Sequence, residues 1–123
     1  MIAYLYVALG GAVGAALRYF VQTNAQVWFG KGFPFGTLAV NVIGSFLLGL
    51  FYALMQEQSN ADTPLRAFFA IGLLGAFTTF STFSVDTLML LQQGEWLKGF
   101  TNILLNVTVC ILAAAVGINL FKG

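Results

Sequence analysis

Four long stretches almost without charge constrain this chain more than any other feature. Residues 32–56, 67–85 and 99–121 contain no Asp, Glu, Lys or Arg, and residues 2–21 contain only Arg18. Each is about 20 residues, the length that crosses a ~30 Å hydrocarbon core as a helix. In lipid, backbone polar groups must find partners within the protein, and a helix satisfies them inside one segment. A soluble domain carries roughly 25% charged residues. Here the share is 7% and the mean hydropathy is +0.90. The chain therefore reads as an all-α integral membrane protein. Its four transmembrane helices are expected over 2–21, 35–56, 66–92 and 99–121, in one domain of 123 residues.

Several classes are excluded. The N-terminal Met1-Ile2-Ala3-Tyr4 has no basic region, and three further spans follow, so no secretory signal is expected. Cys110 is the only cysteine, His is absent and the four acids are scattered, which leaves no internal disulfide and no transition-metal cluster. With so little mass outside the membrane there is no room for a soluble active site, and neither an enzyme nor a nucleic-acid partner is expected. Four spans put Arg66 and Lys122 on one side and Lys31 and Lys98 on the other. The cation bias that fixes orientation is thus absent. Two readings stand: four charges are too few to decide, or chains insert both ways and pair antiparallel.

Polar residues recur at helical spacing. Thr37, Asn41 and Ser45 lie at i, i+4 and i+8 in the second span, and Asn102, Asn106 and Cys110 repeat the pattern in the fourth. Gly10 and Gly14 allow close backbone approach in the first span. Arg18 either snorkels to the interface or faces inward, where it raises the potential for an anion. Trp28, Phe29 and Phe33 read as an interfacial belt in a loop over 23–34. The third span, 66–92, is about 40 Å long as one helix. Tilt absorbs that excess, or the helix breaks near 75–79, where unwound carbonyls would suit a hard cation. Asp86 sits one turn beyond Phe83, within reach of the membrane face.

The segment from Phe77 to Ser84, FTTFSTFS, alternates rings and hydroxyls. Lipid does not select so many polar atoms, so a neighbouring helix or an ion must meet them. An aromatic ring has a positive edge. Edge-on rings attract an anion without a fixed cation, and donors from Thr37, Asn41, Ser81, Thr82 and Asn106 would replace its water. Weak, multiple sites favour permeation over tight binding.

The motifs resemble those of the Fluc fluoride channels, also called CrcB proteins. Gly10, Gly11, Gly14 and Arg18 match GGxxGxxxR. Gly36, Thr37, Leu38, Asn41 and Gly44 match GTLxxNxxG, and the stretch from Gly72 to Ser84 matches GxxGxxTTFSTFS. The resemblance implies an antiparallel, dual-topology homodimer in the bacterial inner membrane. Its third helix would be broken, and two pores would let cytoplasmic fluoride leave passively. It implies that Phe80 and Phe83 line each pore with Asn41, Thr37, Ser81, Thr82, Asn106 and Cys110. Arg18 would sit at a vestibule. Gly75 and Thr78 would offer backbone carbonyls to a structural Na+ at the dimer interface.

Two positions depart from the family pattern. The fourth-span track reads Asn106, Cys110 and Ala114 where hydroxyls are frequent, and a thiol is a weak donor. Ala76 and Phe77 stand where Gly and a smaller aliphatic residue are frequent, so Phe77 is left out of the pore set. A proton-coupled multidrug exporter needs an embedded carboxylate, and Asp86 is the only acid near a span. The other alternative is a non-transporting assembly subunit, whose polar stripes serve packing alone.

Overall fold

The computed structural model describes residues 2–55 and 63–120. Gln56 and Phe121 at the ends of two expected spans, the loop around Gln58 and the cation Lys122 lie outside these. Among the described residues the chain is helical throughout its ordered elements. α1 covers Ile2–Phe29 and α2 covers Phe35–Met55. A π-wound segment, Arg66–Leu74, leads into the single turn α3, Gly75–Phe77. α4 covers Phe80–Gln92 and α5 covers Trp96–Asn119. Among the described residues, four helical stretches are long and apolar enough to cross a membrane: Ile2–Phe29, Phe35–Met55, Arg66–Gln92 and Trp96–Asn119.

α1 is longer than the sequence suggests. It continues through Gln22, Thr23 and Asn24 because their polar atoms bond within the helix or to its neighbours. Thr23 Oγ1 and Asn24 Nδ2 donate to carbonyls of the preceding turn. It ends only at Gly30, whose φ of 78° closes the C-cap. The expected loop over 23–34 shrinks to 30–34. Trp28 and Phe29 stay exposed at the helix end, as a belt requires. Gly94 ends α4 in the same manner, with φ 82° and the Glu95 N–H returning to the Leu90 carbonyl at 2.9 Å.

Small residues set the two main helix crossings. A Cβ on Gly10 would strike the Phe68 carbonyl, one on Gly14 the Leu73 carbonyl and one on Gly72 the Val7 carbonyl. α1 thus lies backbone to backbone on the π-wound segment. On the other side of the bundle Gly49 meets Ala114, and Gly117 meets Phe46. Pairing between α2 and α5 advances in step, Asn41 with Asn106 and Gly49 with Ala114, so these helices run parallel. Close approach of this kind strengthens dispersion contacts where lipid gives no hydrophobic drive.

Candidate functional site

The centre of the site is the interval between α3 and α4. Thr78 has φ −83° and ψ 157°, and Thr79 has φ −151° and ψ 113°. Two successive extended residues separate the helical turns about midway along Arg66–Gln92. Their backbone groups need partners, and side chains supply them. Asn41 Oδ1 accepts the Thr79 N–H at 2.8 Å, and Asn41 Nδ2 donates to the Thr79 carbonyl at 3.2 Å. Thr79 also caps α4. Its Oγ1 accepts the Thr82 N–H at 3.1 Å and donates to Thr82 Oγ1 at 2.9 Å. Gly44 makes room for Thr78, since a Cβ there would strike the threonine methyl.

Arg18 faces inward. Its Nε donates to the Ala76 carbonyl at 3.1 Å, next to the extended residues. Its Nη1 reaches Gln22 Oε1 at 3.5 Å, Gln22 Nε2 donates to Thr37 Oγ1 at 3.2 Å, and Thr37 Oγ1 donates to Asp86 Oδ2 at 2.8 Å. A relay of hydrogen bonds therefore joins the guanidinium to the carboxylate through two neutral groups. Of the two sequence readings of Arg18, this geometry has the inward one.

Gln22, Thr37, Thr82 and Asp86 also border a cavity of about 270 Å³, which Lys31 and Phe33 line as well. The cavity opens at the end of the bundle where α1 finishes and α2 begins. Arg18 is not among its lining residues and touches it only through Gln22.

Most of the expected site residues come together. Two members of the α2 stripe meet different partners: Thr37 meets Asp86 of α4, and Asn41 meets Thr79. Asn41 Nδ2 also donates to Asn106 Oδ1 at 3.0 Å. Thr82 is half-buried in the Thr79 cluster, whereas Ser81 is exposed and lies 3.4 Å from Thr79 Oγ1. The Phe80 and Phe83 rings are 5.4 Å apart between centroids and inclined at 55°. They differ in exposure: Phe80 is 78% exposed and Phe83 is 8%. Phe77 is buried. Gly75 is exposed and Thr78 half-buried. Among the described residues no cluster of His, Cys, Asp and Glu could hold a metal ion.

Sequence reading missed two members of the site. Gln22 stands four residues after Arg18, a spacing that marks side-chain partners on a helix. Thr79 stands three residues before Thr82, the spacing of an N-cap hydroxyl and its amide. Both signals are present in the sequence, but neither is specific without the neighbouring helices.

Comparison with known proteins gives a family. The family described as "CrcB-like protein, Camphor Resistance (CrcB)" matches residues 5–118. A protein of Alteromonas mediterranea named "Fluoride-specific ion channel FluC" is 55% identical over 120 residues, covering 98% of this chain and 94% of that protein. Proteins of the same name from Pseudoalteromonas translucida and Shewanella loihica are 53% and 54% identical. They cover 93% and 92% of this chain, and 95% and 90% of their own lengths.

Proposed function

The chain belongs to the CrcB-like family, and from that premise we propose that it is a passive, selective fluoride channel exporting cytoplasmic fluoride across a bacterial plasma membrane. It is a multi-pass membrane protein and not an enzyme. The observation that carries the reading is the α2 stripe, which leads from the mouth cavity through Thr37 to Asn41 beside the extended Thr78-Thr79. An anion following it exchanges water for the rim of Phe80 and for hydroxyl and amide protons that it must draw from their present acceptors, Asp86, the Thr79 carbonyl and Asn106 Oδ1. Thr82 already borders the mouth, Ser81 and Phe83 flank it on α4, and Asn106 and Cys110 continue the track along α5. Arg18 holds a positive charge one side chain away from the vestibule. Beyond Lys31 at the mouth none of these contacts is a fixed cation, so the ion is free to leave.

The working unit in this proposal is an antiparallel homodimer. Its support is the face that a single chain leaves bare. Phe80, Gly75, Ser81 and Ser84 are all exposed within a membrane span. Polar atoms at that depth need protein cover. A second copy, inserted in the opposite sense, covers like with like, and the balanced Lys and Arg distribution permits both insertions. The break in the third helix then faces its own counterpart. The Gly75 and Thr78 carbonyls of two chains would hold one Na+. Oxygen donors suit such a hard cation, and the exposed Gly75 fits that use. The ion would brace the break and take no part in conduction.

The deciding experiment is efflux from liposomes that contain the purified protein. Fluoride is expected to leave rapidly while chloride stays. Retention of fluoride equal to that of protein-free vesicles would end the proposal.

A second expectation concerns Asn41→Asp. The carboxylate would place an acceptor against the Thr79 carbonyl and Asn106 Oδ1, which now receive the amide N–H groups. It would also repel the permeating anion. The loss of two donated bonds to buried acceptors predicts a fluoride rate lower by roughly tenfold or more. An unchanged rate removes Asn41 from the pathway.

A further inference from the structure

Beyond the stripe of α2, a chain of amides runs through the bundle in one direction only. Thr87 Oγ1 donates to the Phe83 carbonyl at 2.8 Å. A hydroxyl has one proton, so toward its other neighbour it can only accept. Asn102 Nδ2 donates to it at 2.9 Å. This fixes the Asn102 amide with Oδ1 toward Asn106, whose Nδ2 donates there at 3.0 Å and to the Asn102 carbonyl at 2.9 Å. Asn106 Oδ1 is thereby turned to Asn41, whose Nδ2 donates to it, and Asn41 Oδ1 is turned to the Thr79 N–H. Asn102 is fully buried, and Asn106 and Thr87 nearly so. No water substitutes for a missing partner at such positions without cost.

The two ends of this chain have a special relation. One end grips Thr79, the residue before Phe80. The other grips the carbonyl of Phe83. The ladder thus brackets the single helical turn that carries both rings. We propose that Thr87 and Asn102 are positioning residues. They set the polarity of the Asn102–Asn106–Asn41 ladder and so hold the Phe80–Phe83 turn in its place.

The physical reason is directional. If Thr87 loses its hydroxyl, the Asn102 NH2 loses its acceptor. A flipped Asn102 would then point NH2 at the NH2 of Asn106, donor against donor. The defect passes along the ladder to Asn41, and the Thr79 amide is released. That function should suffer rests on the proposed fluoride conduction. The release of Thr79 does not.

The test therefore uses two readouts on the full-length protein in lipid: fluoride efflux, and hydrogen exchange at the Thr79 backbone amide. Thr87→Val keeps the shape and removes the hydroxyl. Thr87→Ser keeps the hydroxyl. The Val variant is expected to exchange at Thr79 about tenfold faster than wild type and to conduct more slowly, and the Ser variant to restore both. Efflux lost with Thr79 exchange unchanged, or Ser behaving like Val, overturns the proposal. Faster exchange at Thr79 in vesicles that never release fluoride upholds the positioning role and ends the channel reading instead. Should the Val variant fail to fold, the wild type still decides. Both side-chain amide protons of Asn106 are expected to exchange slowly, and free exchange of either one overturns the ladder.

Discussion

Phe80→Ile is expected to reduce fluoride efflux to the level of protein-free vesicles while leaving the protein folded. The two halves of that result have separate causes. Phe80 is 78% exposed in the single chain, so its ring contributes little to the chain's own core. Isoleucine at the first position of α4 keeps an apolar side chain of moderate size there. What it removes is the quadrupole. A ring edge carries partial positive charge, and an alkyl group presents nothing equivalent to an anion that has shed its water. The neighbouring Phe83 cannot substitute, because it is buried and 5.4 Å away between centroids. The measurement pairs efflux with size-exclusion behaviour of the purified variant. Normal conduction by a folded Ile variant refutes the ring-edge account. Phe83→Ile is a poorer probe, since it also alters the core.

Gly14→Ala should destabilise the fold severely, whereas Gly11→Ala should not. The added Cβ at Gly14 lies against the Leu73 carbonyl and within 2.9 Å of its carbon, all backbone atoms that cannot rotate away. At Gly11 the nearest atom is the Gly72 carbonyl oxygen at 3.9 Å, an ordinary contact. The first substitution must push α1 off the π-wound segment. Overpacking of this kind costs about 1–3 kcal/mol, and here the Arg18 bond to Ala76 is at risk as well. The comparison is made by thermal unfolding in detergent, with the Gly11 variant as control. The Gly14 variant is expected to melt well below wild type. Equal melting of the two variants would mean that α1 and the π-wound segment are not in backbone contact.

How far the site was legible can be judged from particular residues. Thr37, Asn41 and Ser45 were visible because a helix has a fixed period, and three polar residues at fourfold spacing must share a face. The same holds for Asn102, Asn106 and Cys110. The periods do not say which residues pair. Asn41 meets Asn106, but Thr37 meets Asp86 and Asn102 meets Thr87. The change of partner arises because α4 contacts α2 and α5 at that level, which no single-helix pattern encodes. Arg18 illustrates the same limit. Its sequence neighbours allow an interfacial or an inward side chain, and only the proximity of the Ala76 carbonyl selects the inward one.

The sequence by itself determined the solvent, the number of spans and the faces that carry polar groups. Those follow from transfer free energies and helical geometry, which act on each segment separately. Only the tertiary structure decided the length of α1, the extended backbone at Thr78 and Thr79, and the direction of every amide in the ladder. Each of these depends on partners from distant segments. An extended peptide within a membrane span persists only where another helix supplies its hydrogen bonds, and here Asn41 supplies them to Thr79.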